Sequence, residues 1–380
     1  MKCFGNWRRL LAVTMGAALL SPGVMALLRL NDGRDQLFLL LSSTLGWDSN
    51  LFANADQRSD TLVTASALVD YRRRAGMIGV DGSVGVELGR FARYSSENYV
   101  NPRASVALLK NSGRTTGSVS FSAIRESSSD VAANLRAESW LYESLLKLRY
   151  PVIDRYSISA SYQYTFRDFT DQPILVDLET HAASVDLLYA LDSRRDLFAG
   201  YRLRRTESAQ NIESYDQAFT IGITGRIIPR LNGTVRLGYQ FRDTRAYFLP
   251  EENFSGLNAG IALTWTATRR LSFTGQISKD FATTSTDLSS DSFASSLDAK
   301  WSVNSKLSFT AGVGYGTIDY LGIRGANRQD TYSTLTATGR YLITDKVHLS
   351  LSASRLTNWS TLPMADYTRN AITLGVSARF

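Results

Sequence analysis

Cysteine occurs once in 380 residues and histidine twice, and these two scarcities remove whole classes of chemistry. The single thiol, Cys3, lies near the N-terminus, ahead of a hydrophobic run and not at its end. A disulfide, a thiolate metal site and a lipoprotein anchor are therefore not expected. His181 and His348 stand far apart in the chain, which excludes a zinc cluster of histidine and cysteine, and no metal or cofactor is expected. The G-x-S-x-G elbow, the P-loop, the dinucleotide fingerprint and the H-E-x-x-H helix are all missing, so the chain does not read as an enzyme. A histidine in such a setting reads as a structural or rim residue. Long apolar runs are missing too: past the N-terminal segment nothing approaches the about 18 consecutive apolar residues of a membrane helix. The net charge of +7 is modest for this length and suggests no nucleic-acid partner.

The N-terminal segment reads as an export signal. Lys2, Arg8 and Arg9 precede the apolar stretch Leu10 to Leu20, Ser21-Pro22-Gly23 breaks it, and Val24-Met25-Ala26 supplies small residues for cleavage. The expected division is a signal peptide over 1–26 and a single domain over 27–380. Leu27 to Gln36 is then only a short lead-in, so any periplasmic component is expected to be a separate chain.

What fills the remainder is one pattern of period two. Val235, Leu237, Tyr239 and Phe241 alternate with Thr234, Arg236, Gly238 and Gln240. Ile158, Ala160, Tyr162, Tyr164 and Phe166 alternate with Ser159, Ser161, Gln163 and Thr165, and Leu307 to Tyr315 repeats the scheme. Successive side chains of a strand point to opposite faces, whereas a helix repeats every 3.6 residues. The segments run to roughly 9 to 15 residues, longer than the usual soluble strand of about five or six and matched to a tilted transmembrane strand of about 9–11. Strands can satisfy every backbone group in lipid only by closing into a barrel.

Connections fall into two kinds. Eight are tight: Arg72–Gly76, Asn111–Arg114, Pro151–Asp154, Asp192–Arg195, Pro229–Arg230, Thr268–Arg270, Asn304–Ser305 and Thr344–Asp345. Nine polar stretches, among them Asp48–Asp60, Thr206–Asp216, Asp280–Asp291 and Asp319–Asp330, read as external loops. The expected fold is all-β: a single closed antiparallel transmembrane β-barrel of about 18 strands, with both termini periplasmic. A count of 16 would follow from fewer hairpins around Asn98 to Phe121. Trp47, Tyr150, Trp265, Trp301 and Tyr341 fall near strand ends on the apolar face, as interfacial aromatics do. The alternating end Ile372, Leu374, Val376, Ala378, Phe380 resembles the signal read by the outer-membrane barrel assembly machinery.

If the apolar alternates face lipid, the charged alternates line the lumen. Arg202, Arg204, Arg236 and Arg242 form the best candidate for an anion-facing patch, with Asp186, Lys300 and Arg340 as further lumen candidates. Pairing of these arginines with lumen carboxylates such as Asp186 is the simpler alternative. Gln240 is expected to face water in the lumen and to tolerate arginine. No single loop is long enough to suggest a constriction.

At the first external loop the sequence Leu45-Gly46-Trp47-Asp48-Ser49-Asn50-Leu51-Phe52, followed by Ser59-Asp60, resembles the start of a family of outer-membrane β-barrel porins found in exopolysaccharide and capsule gene clusters. Trp47, Asp48, Ser49 and Asn50 carry that likeness. It implies a barrel in the bacterial outer membrane, in contact with its lipid, that serves as an exit for an anionic exopolysaccharide alongside separate periplasmic export components. A surface barrel whose loops hold polymer, and a general porin for small solutes, are the alternatives.

Overall fold

The computed structural model describes residues 28–380 apart from 31–33, 75, 131, 171–172, 247–248, 323–327 and 364. The proposed signal segment thus lies outside the described residues. The strands in chain order are β1 (Leu28–Leu30), β2 (Asp35–Asp48), β3 (Asp60–Arg73), β4 (Gly79–Phe91), β5 (Tyr99–Lys110), β6 (Thr116–Asp130) and β7 (Leu135–Ile153). There follow β8 (Tyr156–Thr170), β9 (Leu178–Asp192), β10 (Arg195–Ser208), β11 (Ile212–Ile228), β12 (Leu231–Ala246) and β13 (Leu249–Thr266). The last six are β14 (Leu271–Thr283), β15 (Ser289–Ser302), β16 (Leu307–Tyr320), β17 (Gln329–Leu342), β18 (Val347–Ser360) and β19 (Tyr367–Arg379).

Every strand from β2 to β19 pairs antiparallel with its sequence neighbours, and β19 returns to β2 through the register Ala371↔Asp48 to Arg379↔Leu40. Eighteen strands therefore close the barrel, while the short β1 lies beside the start of β2. All eight expected tight turns occur where the sequence placed them, at the end of the barrel that also carries Phe380. That residue is tied into the seam by reciprocal backbone bonds with Leu39, 2.9 and 3.0 Å.

The two faces of the wall differ as the alternation requires. On β12 and β15 the side chains of Leu237 and Leu297 are about half exposed on the outside. Trp47, Tyr150, Trp265, Trp301, Tyr315 and Tyr341 are likewise outward and exposed. Exposed leucine and aromatic side chains over a whole outer surface would be untenable in water, and in a bilayer they are the apolar band and its aromatic girdles. Inside, hydroxyls meet in cross-strand pairs: Ser42–Ser66 2.7 Å, Thr44–Thr64 2.7 Å, Ser83–Ser105 2.8 Å, Ser161–Ser184 2.8 Å and Thr224–Thr234 2.7 Å. Small hydroxyl side chains at these registers leave room in the lumen and satisfy one another where water does not reach.

The polar stretches were expected to be loops, and several are strand. Thr206–Ser208 and Ile212–Asp216 belong to β10 and β11, and Asp280–Thr283 and Ser289–Asp291 belong to β14 and β15. Above the lipid level both faces of a hairpin are wet, so the ladder continues with polar side chains and the hydrophobic signal that marks a strand disappears.

Leu297→Arg, in the middle of β15, is expected to lower unfolding stability by about 2–4 kcal/mol, because the charge enters lipid near mid-membrane. Ser296→Arg on the lumen face should stay within about 0.5 kcal/mol of the parent, as ordinary surface changes do. Urea titrations of both variants in lipid vesicles, followed by gel mobility, would show a reversed register if the two costs were equal.

Candidate functional site: a narrowed mouth

The loop end of the barrel is where buried residues gather. The first loop turns back into the mouth through the Trp47-Asp48-Ser49-Asn50 stretch. Asp48 Oδ1 accepts the Asn50 amide at 2.9 Å, and Asp48 Oδ2 accepts Arg369 Nε and Nη2 at 2.8 and 2.6 Å. Ser49 Oγ accepts the Asn370 amide at 2.8 Å, and Asn50 Nδ2 donates to the Asn54 carbonyl at 2.7 Å. Trp47 stays outside, exposed to the membrane face. The turn so built drops Leu51 onto Phe91 and Tyr99, where it is 2 % exposed. Ser129 Oγ of β6 then holds the Leu51 carbonyl at 2.7 Å.

A second inward segment arises where the wall parts. The β13–β14 ladder ends at Ala259↔Lys279, although β12–β13 continues to Leu249 and β14–β15 to Thr283. The upper end of β14 leaves β13 and bends inside the barrel. Phe281 becomes 2 % exposed, its ring within reach of the backbone at Gly256, where even a Cβ would lie 3.7 Å from it. The buried Phe281 carbonyl, on the edge of β14 that has lost β13, needs another partner, and arginine supplies it, as it also reaches the neighbouring Ala282 carbonyl on the β15 side. Arg204 Nη2 donates to the Phe281 carbonyl at 2.5 Å and Arg242 Nη1 to the Ala282 carbonyl at 2.6 Å. Asn258 Nδ2 donates to the Lys279 carbonyl at 3.3 Å and to Gln240 Oε1 at 3.0 Å. Segment 284–288 then meets the 173–177 loop, where the Val176 amide donates to the Ser285 carbonyl at 2.9 Å.

The same arginines are fixed by carboxylates. Asp216 accepts Arg242 through both oxygens at 2.6 and 2.8 Å and Arg204 Nε at 2.7 Å. Asp280 accepts Arg202 through both oxygens at 2.7 Å, and Arg204 Nη1 at 3.3 Å. Arg236 forms a separate two-pronged pair with Asp186 at 2.9 and 2.8 Å, its guanidinium 4.4 Å from the Phe198 ring centroid. That bridge crosses β10 at Gly200, where a Cβ would fall 1.9 Å from Asp186 Oδ1, so only glycine leaves it room.

All four arginines face the interior, and three of them, Arg202, Arg204 and Arg242, form one cluster with Asp216 and Asp280. Arg236 pairs apart with Asp186. Lys300 and Arg340 lie on inward positions of β15 and β17, opposite Thr310 and Ser308, and do not join the cluster. His348 bonds Ser377 inside, while His181 bonds Tyr162 at 2.7 Å on the outer face. Gln240 is fully buried beneath the inward segment, not open to lumen water, which overturns the expectation that arginine would be tolerated there. The inward roles of Asp216, Asp280 and Phe281 went unnoticed in the sequence because they fell in stretches read as loops. The parity of Asp216 with Thr220 and Thr224 along β11 was the available signal.

A third contact spans the mouth. Arg328, beside β17, donates through Nη1 to the Ala132 carbonyl between β6 and β7 at 2.8 Å, joining hairpins on opposite walls. The mouth is thus narrowed by several short segments and not by one long loop. Deeper in the barrel two recesses of about 640 and 590 Å³ remain, one lined by Asp70, Asp81, Ser83 and Glu143, the other by Thr234, Gln276, Ser296 and Thr334.

A closed 18-strand barrel with an apolar outer band and a polar interior has the architecture of an outer-membrane β-barrel. The profile of the family described as "Putative beta-barrel porin 2" matches residues 218–380, from within β11 to the C-terminus, so the resemblance to an outer-membrane porin family holds there. The association with exopolysaccharide gene clusters is no part of that match. Among solved structures the barrel is similar to Pseudomonas aeruginosa OccK2 (OpdF) in complex with glucuronate, at TM-score 0.52 and 11% identity, covering 91% of this chain and 98% of that one. It is similar also to the outer membrane protein opdK of Pseudomonas aeruginosa, at TM-score 0.50 and 9% identity, covering 90% and 99%. At such identities the likeness is one of fold. No curated protein matches the sequence.

Asp216→Ala would leave the fully buried Arg242 without its carboxylate and Arg204 with only the longer bond to Asp280, and is expected to cost about 3–5 kcal/mol. Arg245→Ala breaks an exposed pair with Glu251, 60% and 65% accessible, and should cost under about 1 kcal/mol. Equilibrium unfolding of the two variants against the parent measures the contrast, and equal losses would show that Asp216 is not the keystone of the cluster.

Proposed function

We propose that this barrel is a channel for small hydrophilic solutes, entered from outside through a narrowed mouth. The observation that carries this reading is the combination of a hydroxyl-lined interior with short segments bonded across the loop end. The turn end, with Phe380, is taken as periplasmic and the loop end as external, and the C-terminal strand as the signal read by the barrel assembly machinery. Facing hydroxyls and both signs of charge suit polar solutes, because a shed hydration shell is replaced by wall groups.

Export of an anionic exopolysaccharide, with separate periplasmic components, is the reading we favour less. An extended polymer would need the Arg328–Ala132 and Val176–Ser285 contacts to part together, and the four arginines that would guide it are already paired with Asp186, Asp216 and Asp280. A surface barrel whose loops merely hold polymer would show no conductance.

Planar-bilayer recordings of the refolded barrel, with and without residues 285–287, test the channel reading. Discrete steps that grow when the inward segment is shortened are the expected result. Absence of steps in both proteins would eliminate the channel, and steps unchanged by the deletion would remove the mouth from the permeation path.

A further inference from the structure

The five charged groups under the mouth are not equivalent. Arg242 and Asp216 are 0% exposed on both sides of their pair, whereas in the Arg202–Asp280 pair the side chains are 25% and 32% exposed. One pair is sealed and the other opens on the lumen. Three guanidiniums, Arg202, Arg204 and Arg242, share two carboxylates, so the cluster keeps one positive charge in excess.

We infer that Arg202 is an exchangeable carboxylate site, at which a solute carboxylate takes the place of Asp280. The inference rests on the channel reading for how the solute arrives, but not for whether it binds. Both prongs of Arg202 already hold carboxylate oxygens at 2.7 Å, so a solute carboxylate reproduces the geometry like for like. A neutral sugar cannot balance the guanidinium charge and does not displace Asp280.

Exchange has a mechanical consequence. Asp280 is the residue at which the upper end of β14 leaves the wall, next to Phe281 and Ala282. Freed from Arg202, the Asp280 carboxylate keeps its longer bonds to Arg204 and Asn258, both 3.3 Å, while Arg204 Nη2 still holds the Phe281 carbonyl and the ladder to β15 persists. Arg242, anchored on Asp216, still holds the Ala282 carbonyl and acts as a hinge. Occupation by a carboxylate therefore loosens the inward segment from below without releasing it, so that the anion which enters also widens its own route.

Galacturonate and galactose form a matched pair of probes, differing in one carboxylate. Titration calorimetry of the detergent-solubilised full-length barrel should show saturable binding of galacturonate and none of galactose. Binding should be lost in Arg202→Gln, a variant whose normal assembly is checked by heat-modifiable gel mobility, and retained in Arg205→Gln on the outer face. In bilayers, open-state occupancy should rise with galacturonate, and Asp280→Asn should show the raised occupancy without ligand. Equal binding of both sugars, or galacturonate binding undiminished in Arg202→Gln, overturns the proposal. Galacturonate binding that needs Arg202 in a barrel that never conducts supports the site and discards the channel reading. Live conductance with no galacturonate binding discards the site and leaves the channel.

Discussion

A backbone in lipid has no water to turn to, and that constraint governs this molecule. Each amide and carbonyl at lipid level must find its partner within the sheet, so eighteen strands pair in sequence order there and the last returns to the first. The division of faces follows from the same ladder. Pairing sends alternate side chains outward, where only apolar and interfacial aromatic groups are stable, and inward, where serine, threonine and glycine leave space.

An informative place is one where the ladder is given up. Between β13 and β14 the register stops at Ala259↔Lys279; the Phe281 carbonyl beyond it is taken over by Arg204, while Asn258 reaches the Lys279 carbonyl and Arg242 the Ala282 carbonyl. Charge compensation follows from that substitution: arginines brought out of water need carboxylates, and Asp216 and Asp280 provide them. A feature that looks like an anion-guiding patch is thus first of all the replacement for a missing stretch of sheet. The same group can do both, since the buried half of the cluster carries the load and the open half faces the lumen.

The resemblance at Trp47-Asp48-Ser49-Asn50 acquires a similar meaning. Its three polar residues fold a tight turn against β19, and the turn aims Leu51 inward at Phe91 and Tyr99. The two sides of the mouth are therefore narrowed by different devices, a capped turn at the seam and a bent strand pair across from it. Each is made from short segments, and neither has a length that would attract notice.

The barrel was legible in the chain because its cause is local and periodic. Alternation of the Thr234–Phe241 kind, strand lengths near those needed to cross lipid, and eight tight turns at regular intervals point to about 18 strands, their pairing order and the direction of most side chains, and closure follows from the backbone's need for partners. The interior was legible only in part. Parity put Arg202, Arg204, Arg236 and Arg242 on the inner face, but it carries no information about residues that meet across the lumen. Arg202 and Asp280 are 78 positions apart, and Arg328 and Ala132 are 196 apart. Their contacts depend on the curvature of the closed wall and on the inward bend of β14, and above the lipid level the hydrophobic pattern that would have reported strands is gone. The sequence by itself determined the wall, since lipid tests every residue of it one at a time. Which polar groups meet inside, and that they narrow the mouth, was decided by the closed tertiary structure, because only closure brings distant strands face to face.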